Sequence, residues 1–270
     1  MTESFRAKKF CEFCLADISD IQTQFTANQF QPRSQVHYRK VFSSLNRATN
    51  AASVKQIVQR WGFKNACALA NVPGWNIAEN MTPDLFHDML EGIAAFEIKL
   101  ILRGLIYEEQ HLTLALLNDR IASFPYGRTD KKNRPALVSD ISTNRQTGIQ
   151  MFCLVRLLPI IIGDMIGGSS KHWRFLLDLR TLFDLLFAPF FTSELLQDLE
   201  TVVERHLRRF KILFRDYDLL TKHHFLVHYA ACIKKTGSAS KSMTANQEMK
   251  MSWFKQLAGV VKYRKICRKL

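Results

Sequence analysis

Cys11 and Cys14 stand as Cys-x2-Cys in FCEFC, and His224 and His228 stand as His-x3-His in KHHFLVHYA. A Cys-x2-Cys turn brings two thiolates to one ion, and two histidines four apart share one face of a helix. Together the four have the composition of a closed, tetrahedral Cys2His2 zinc site. Each pair also has an ordinary reading. A redox dithiol would need a βαβ context that the sequence lacks, while paired helical histidines also occur as core residues. About two hundred residues lie between the pairs, so spacing leaves their pairing open.

Glu248 follows the histidine pair with no carboxylate partner at motif spacing. Two-metal phosphodiester chemistry needs several convergent carboxylates. Asp84 and His87 are three apart and share a helical face, either as a motif or as a cap acid beside a packing histidine. His206 falls on the apolar stripe of its helix and reads as a core histidine. No HExxH, phosphate-cradling glycine loop or nucleophile elbow is present.

The elements that must position these residues are helices; the chain reads as mainly α, and no long stretch alternates apolar and polar residues. One helix is predicted over Asp84 to Ile106, with Thr82 as its cap and Pro83 at its first position. Others are predicted over Leu112 to Ser123, Arg145 to Leu158, and His172 to Phe187; Pro159 kinks or ends the third. Ser193 caps an amphipathic helix whose stripe runs from Leu195 to Phe214. A further helix carries the histidine pair, and a last one begins near Gln247 after a loop of small and polar residues. Cys67, Cys153, Cys232 and Cys267 are scattered and read as buried thiols, so no disulfide framework is expected.

The formal charge is +14. A surplus of that size is a physical argument for polyanion partners, with nucleic acid first. The candidate contacts are Lys131, Lys132 and Arg134 in a polar loop, then Arg205, Arg208, Arg209 and Lys211, then Lys262, Arg264 and Lys265. The apolar stretches LVRLLPIII and FLLDLRTLFDLLFAPFF are broken by Arg156, Asp178, Arg180 and Asp184, short of the ~18 uninterrupted apolar residues of a membrane span. MTESFRAKKF has no apolar core of the signal-peptide kind. The expectation is a soluble nuclear or cytoplasmic protein.

Several stretches, taken in order, resemble the CACTA (En/Spm)-related DDE transposases of animal genomes. They are ESFRAKKFCEFCLAD, TPDLFHDMLEG, EIKLILRGLI, LNDRIASFPYG, QMFCLVRLLPIIIGD, HWRFLLDLRTLFDLLFAP, KHHFLVHYA, EMKMSWFKQLA and YRKIC. The resemblance implies an RNase H-like core interrupted by an all-helical insertion, with most of the β-sheet missing here. It divides the chain into a remnant of the core at 1–40, the helical insertion at 41–220, and a C-terminal helical part of the core at 221–270.

The resemblance also pairs Cys11 and Cys14 with His224 and His228 on a structural zinc, makes Asp84 and His87 an Asp-x2-His motif, and makes Glu248 the third catalytic acid. The family's first two acids are expected before the Cys pair, where only thirteen residues precede Cys14. Mg2+ chemistry therefore belongs to a complete ancestral enzyme, and this chain is expected to be inactive by itself. The expected function is sequence-blind contact with the DNA backbone. The alternatives are a helical protein-interaction scaffold, or part of an active transposase or nuclease completed by missing sequence. Helices that would pack on a sheet then present apolar surface, which favours a homo-oligomer.

Overall fold

Apolar residues recur at threes and fours through most of the sequence, and each such stretch folds as a helix that buries its stripe against the next. The computed structural model describes residues 9–143, 145–241, 243 and 244. Among the described residues the protein is mainly helical and has no β-strand; its one β-type contact is an isolated antiparallel bridge between Cys14 and Pro32.

The helices are α1 (Gln35–Arg47), α2 (Ala51–Trp61), the short α3 (Ile77–Asn80), α4 (Ala94–Arg103), α5 (Leu114–Ser123), α6 (Gly148–Ile162), α7 (Lys171–Leu186), α8 (Ser193–Leu213) and α9 (Thr221–Thr236). Wider π-helical turns, Phe86–Ile93 and Gly104–Glu108, extend α4 at both ends into one rod. Met89, Ile93, Ile98, Ile101 and Leu105 of that rod are fully buried, and α6, α7 and α9 pack around it. The α7–α8 pair forms the most extensive helix contact, and α8 packs in turn on α9. Gly104 lets the rod pass the buried His172 ring, because a Cβ there would lie 2.1 Å from that ring.

Two hydrophobic cores result. The main one joins Phe10 to Phe30 of the N-terminal segment with residues 85–239. The smaller one belongs to α1–α3 and consists of Tyr38, Val41, Phe42, Phe63 and Ile77, with Leu45, Ile57 and Trp61 against it.

Several predicted details shift. Asp84, not Thr82, caps the rod: the helix begins at Leu85, and Asp84 Oδ1 accepts from the Phe86 backbone N–H at 3.2 Å. Thr192, not Ser193, caps α8, accepting from the Leu195 N–H at 3.2 Å. Pro159 lies inside α6, which continues to Ile162. Only one ladder bond is lost there, and Leu158, Ile161 and Ile162 stay buried on both sides of it. Gly148–Met165 is the one described helical segment long and apolar enough to cross a membrane, with a mean hydropathy of 1.6 despite Arg156 and Asp164. In the fold its buried face belongs to the main core. Among the scattered thiols, burial pushes Cys153 and Cys232 up to about 11, while Cys67 is half-buried. Glu248, Cys267, the helix expected near Gln247, and Lys262, Arg264 and Lys265 lie outside the described residues.

Candidate metal centre

The Cys11–Cys14 knuckle is built from backbone contacts with the strand-like segment that follows it. The Leu15 N–H donates to the Gln31 carbonyl at 2.9 Å, and the Arg33 N–H donates to the Phe13 carbonyl at 2.8 Å. The Phe13 N–H points back at Cys11 Sγ, 3.3 Å away. Arg33 locks the turn from below. Its Nε donates to the carbonyls of both Cys11 and Cys14 at 3.0 Å, its Nη2 donates to the Trp61 carbonyl at 2.9 Å, and its guanidinium lies 4.6 Å from the Phe63 ring centre. Tyr38 donates its hydroxyl to the Glu12 carbonyl. The positive φ of Gly62 at the end of α2 lets Lys9 run directly over it: a Cβ there would stand 1.8 Å from the Lys9 carbonyl oxygen.

Across from the knuckle, α9 presents His224 and His228 one turn apart. Cys14 Sγ is 3.1 Å from His224 Nε2, Cys11 Sγ is 3.5 Å from His228 Nε2, and the two Nε2 atoms are 3.1 Å apart. All four donor atoms lie within 4.8 Å of one another, and all four residues are buried. The sequence pairs thus converge from more than two hundred residues apart.

The geometry suits one tetrahedral ion. With metal–sulfur bonds of about 2.3 Å and metal–nitrogen bonds of about 2.0 Å, the edges of such a tetrahedron are about 3.3 to 3.8 Å. A two-iron cluster would set the cysteines and the histidines on different iron atoms. Here each sulfur sits directly against a histidine nitrogen.

The electrostatics agree. A hydrogen bond from Cys11, with others from His224 and His228, holds the Cys14 thiol far below its ordinary value. Burial and the neighbouring Cys14 hold the Cys11 thiol well above its own. The pair therefore carries one negative charge readily, and a second thiolate needs a cation beside it. Burial keeps His224 in the neutral form that ligates. Its Nδ1 is buried without a hydrogen-bond partner among the described residues. Its orientation comes instead from the Phe10 and Phe30 rings, with centres 5.4 and 4.5 Å away, edge-on.

Asp84 and His87 also meet, 2.5 Å apart from Oδ2 to Nδ1, and Thr244 donates its hydroxyl to the same carboxylate. Burial raises the pKa of Asp84, but the bonds from His87 and Thr244 outweigh it and hold the carboxyl below its usual value. This cluster sits at the rod's N-terminus and contributes no atom to the metal centre. Among the described residues, the Cys2His2 group is the one set of three or more His, Cys, Asp or Glu donors gathered closely enough for a metal.

The basic candidates fall into two kinds. Lys131, Lys132 and Arg134 are exposed on the 124–136 loop, and no described carboxylate pairs with them. The basic residues of α8 are matched within the chain. Arg205 and Arg209 face Asp178, Arg208 is 2.7 Å from Glu204, and Lys211 is 3.3 Å from Asp218.

Sequence reasoning missed several buried polar groups, Arg33 and Glu97 among them. Arg33 gave no signal, being a lone base between a proline and a helix cap. Glu97 did give one, since it interrupts an apolar stripe at the four-residue spacing between Ile93 and Ile101. It is fully buried, with Oε1 2.9 Å from His206 Nε2 and 3.1 Å from His223 Nε2. His206 is thus a core histidine with a buried ionic partner.

No protein-family profile matches the chain, and no curated protein or solved structure does either.

Proposed function

We propose that this protein is a zinc-stapled, mainly helical fragment derived from a CACTA-related transposase, catalytically inactive by itself, that contacts the DNA backbone. The observation that carries the reading is the convergence of Cys11, Cys14, His224 and His228. Two short motifs at opposite ends of the sequence meet in the arrangement that the family resemblance implies. Borderline-soft zinc is the divalent ion that suits a closed set of two thiolates and two imidazoles. Four protein ligands leave no open position for water, so the ion would serve structure and not hydrolysis. The residues would hold it through both sulfurs and both Nε2 atoms. Exposed, unpaired bases such as Lys131, Lys132 and Arg134 supply the backbone contact, in a soluble nuclear or cytoplasmic setting.

The test is metal analysis of the purified protein together with binding to a random-sequence DNA duplex. We expect one zinc per chain, lost in Cys11→Ser together with a fall in melting temperature, and duplex binding that weakens steeply with salt. A metal-free wild type that melts like Cys11→Ser would overturn the zinc staple. Absence of duplex binding at low salt would overturn the DNA contact.

A further inference from the structure

From Ile21 to Ala78 the sequence contains no Asp or Glu, and in that stretch lie seven bases. One, Arg33, is buried beneath the metal knuckle. The other six, Arg39, Lys40, Arg47, Lys55, Arg60 and Lys64, are exposed on α1, α2 and the turn after α2. Apart from the adjacent Arg39 and Lys40 they are scattered singly, which is why the sequence pattern alone passes over them.

The fold gathers them. At about 100° per residue, Arg39, Lys40 and Arg47 occupy a single arc of α1. Tyr38, Val41 and Phe42 take the other side and close on the small core. A three-residue turn then leads into α2, whose exposed positions include Lys55, Gln56, Gln59 and Arg60. Both basic faces therefore point away from the core that joins the helices.

No described carboxylate neutralises them. Glu79, the first acid after the stretch, is engaged 2.8 Å from Lys235 of α9. The contrast with α8 is physical: there four bases are matched by Asp178, Glu204 and Asp218, whereas here the positive potential of six is left to solvent.

We propose that the α1–α2 hairpin is the DNA-docking surface of this protein, and that it takes the sugar–phosphate backbone of double-stranded DNA. The proposal rests on the DNA-contact reading above and places the principal contact on a different element. The duplex is favoured by what the surface lacks. Tyr38, Phe42 and Phe63 are buried and Trp61 packs against them, so no open aromatic platform stacks unpaired bases. A helix-borne surface fits the wide major groove of B-form DNA, and not the deep, narrow groove of an RNA duplex.

The experiment measures affinity for a labelled random-sequence DNA duplex against salt, for three proteins. These are the wild type, Arg39→Gln/Arg47→Gln/Lys55→Gln, and Arg205→Gln/Arg208→Gln/Arg209→Gln. The triple changes remove equal charge. If three phosphates are lost, the slope of log affinity on log salt becomes shallower by about 2.7 in the hairpin variant. The α8 variant keeps the wild-type slope. The single changes Arg39→Gln and Lys55→Gln, each expected to make the slope shallower by about 0.9, serve if the triple glutamine variant does not fold, and an unchanged slope in both would overturn the assignment. Equal losses in both triple variants, or none in the hairpin variant, would overturn the assignment while leaving DNA binding intact. Tighter, hairpin-dependent binding to an RNA duplex of equal length would overturn the choice of DNA. A wild type that binds no duplex would remove the reading on which the assignment stands.

Discussion

Asp88 is only 5 % exposed, and Tyr229 donates its hydroxyl to Asp88 Oδ2 at 3.2 Å. Burial pushes this carboxyl from 3.8 up to about 7, with Tyr229 and Lys222 only partly offsetting it. Between pH 3.8 and about 7 the folded protein therefore holds a proton that the unfolded chain has released. Stability falls as pH rises through that window, and the full cost is present above it. Asp88→Asn removes the titration while leaving an oxygen for Tyr229. We expect the variant to melt higher than wild type at pH 8 and to match it near pH 4, in parallel thermal scans. A difference that does not change with pH would show that Asp88 is charged at no cost. Glu97 has the opposite sign. Burial opposes its ionisation, but His206 and His223 hold its pKa below the ordinary value, so what it contributes is present at neutral pH and lost only in acid. The buried charge at Glu97 was visible in the sequence as a break in an apolar stripe. The partner at Asp88 was not, because an acid near a helix start ordinarily reads as a complement to the helix dipole.

Helices α5 to α8 were legible because their apolar stripes are wide and preceded by hydroxyl caps. The errors there are small and local: adjacent hydroxyls at Thr192 and Ser193 compete for one cap, and packing carries α6 through Pro159. The α1–α2 hairpin was illegible because it buries a narrow stripe in a stretch otherwise rich in bases, Gln, Asn and Ser. Its small core is held to the rest by polar anchors. Arg33 is the chief one, since it ties the end of α2 to the metal knuckle through the Trp61, Cys11 and Cys14 carbonyls. Arg33→Met keeps the volume and removes all three bonds, leaving buried carbonyls without a donor. We expect a loss of about 3 kcal/mol in chemical denaturation. The knuckle would also yield its metal faster to a competing chromophoric chelator. An unchanged denaturation midpoint with unchanged metal release would mean that apolar packing alone seats the hairpin.

For the molecule as a whole, the Cys2His2 centre joins the start of the main core to its last helix. The types and order of its ligands were readable in the sequence. Their meeting was not, because no spacing rule spans so long a connection, and only the family resemblance paired them. A cross-link closing a loop of that length stabilises by about 5 kcal/mol on the loop-entropy scale. Removing the proposed zinc with a chelator should lower the melting temperature by roughly 10 to 20 °C, given the ~2–4 °C per kcal/mol expected of a chain this size. The central rod and α6–α8 draw their burial from residues 85–239 and contribute none of the four ligands, so most helical circular dichroism should remain below the new midpoint. The hairpin should suffer more than the rod, because Arg33 and Tyr38 hang it on the knuckle. Limited proteolysis of chelated protein should therefore cut first within 9–81, and salt-dependent binding to a DNA duplex should weaken along with that cleavage. Zinc added back should restore the melting temperature, the protection and the binding together. Were binding to survive chelation while residues 9–81 became cleavable, the DNA contact would have to lie on elements other than the hairpin.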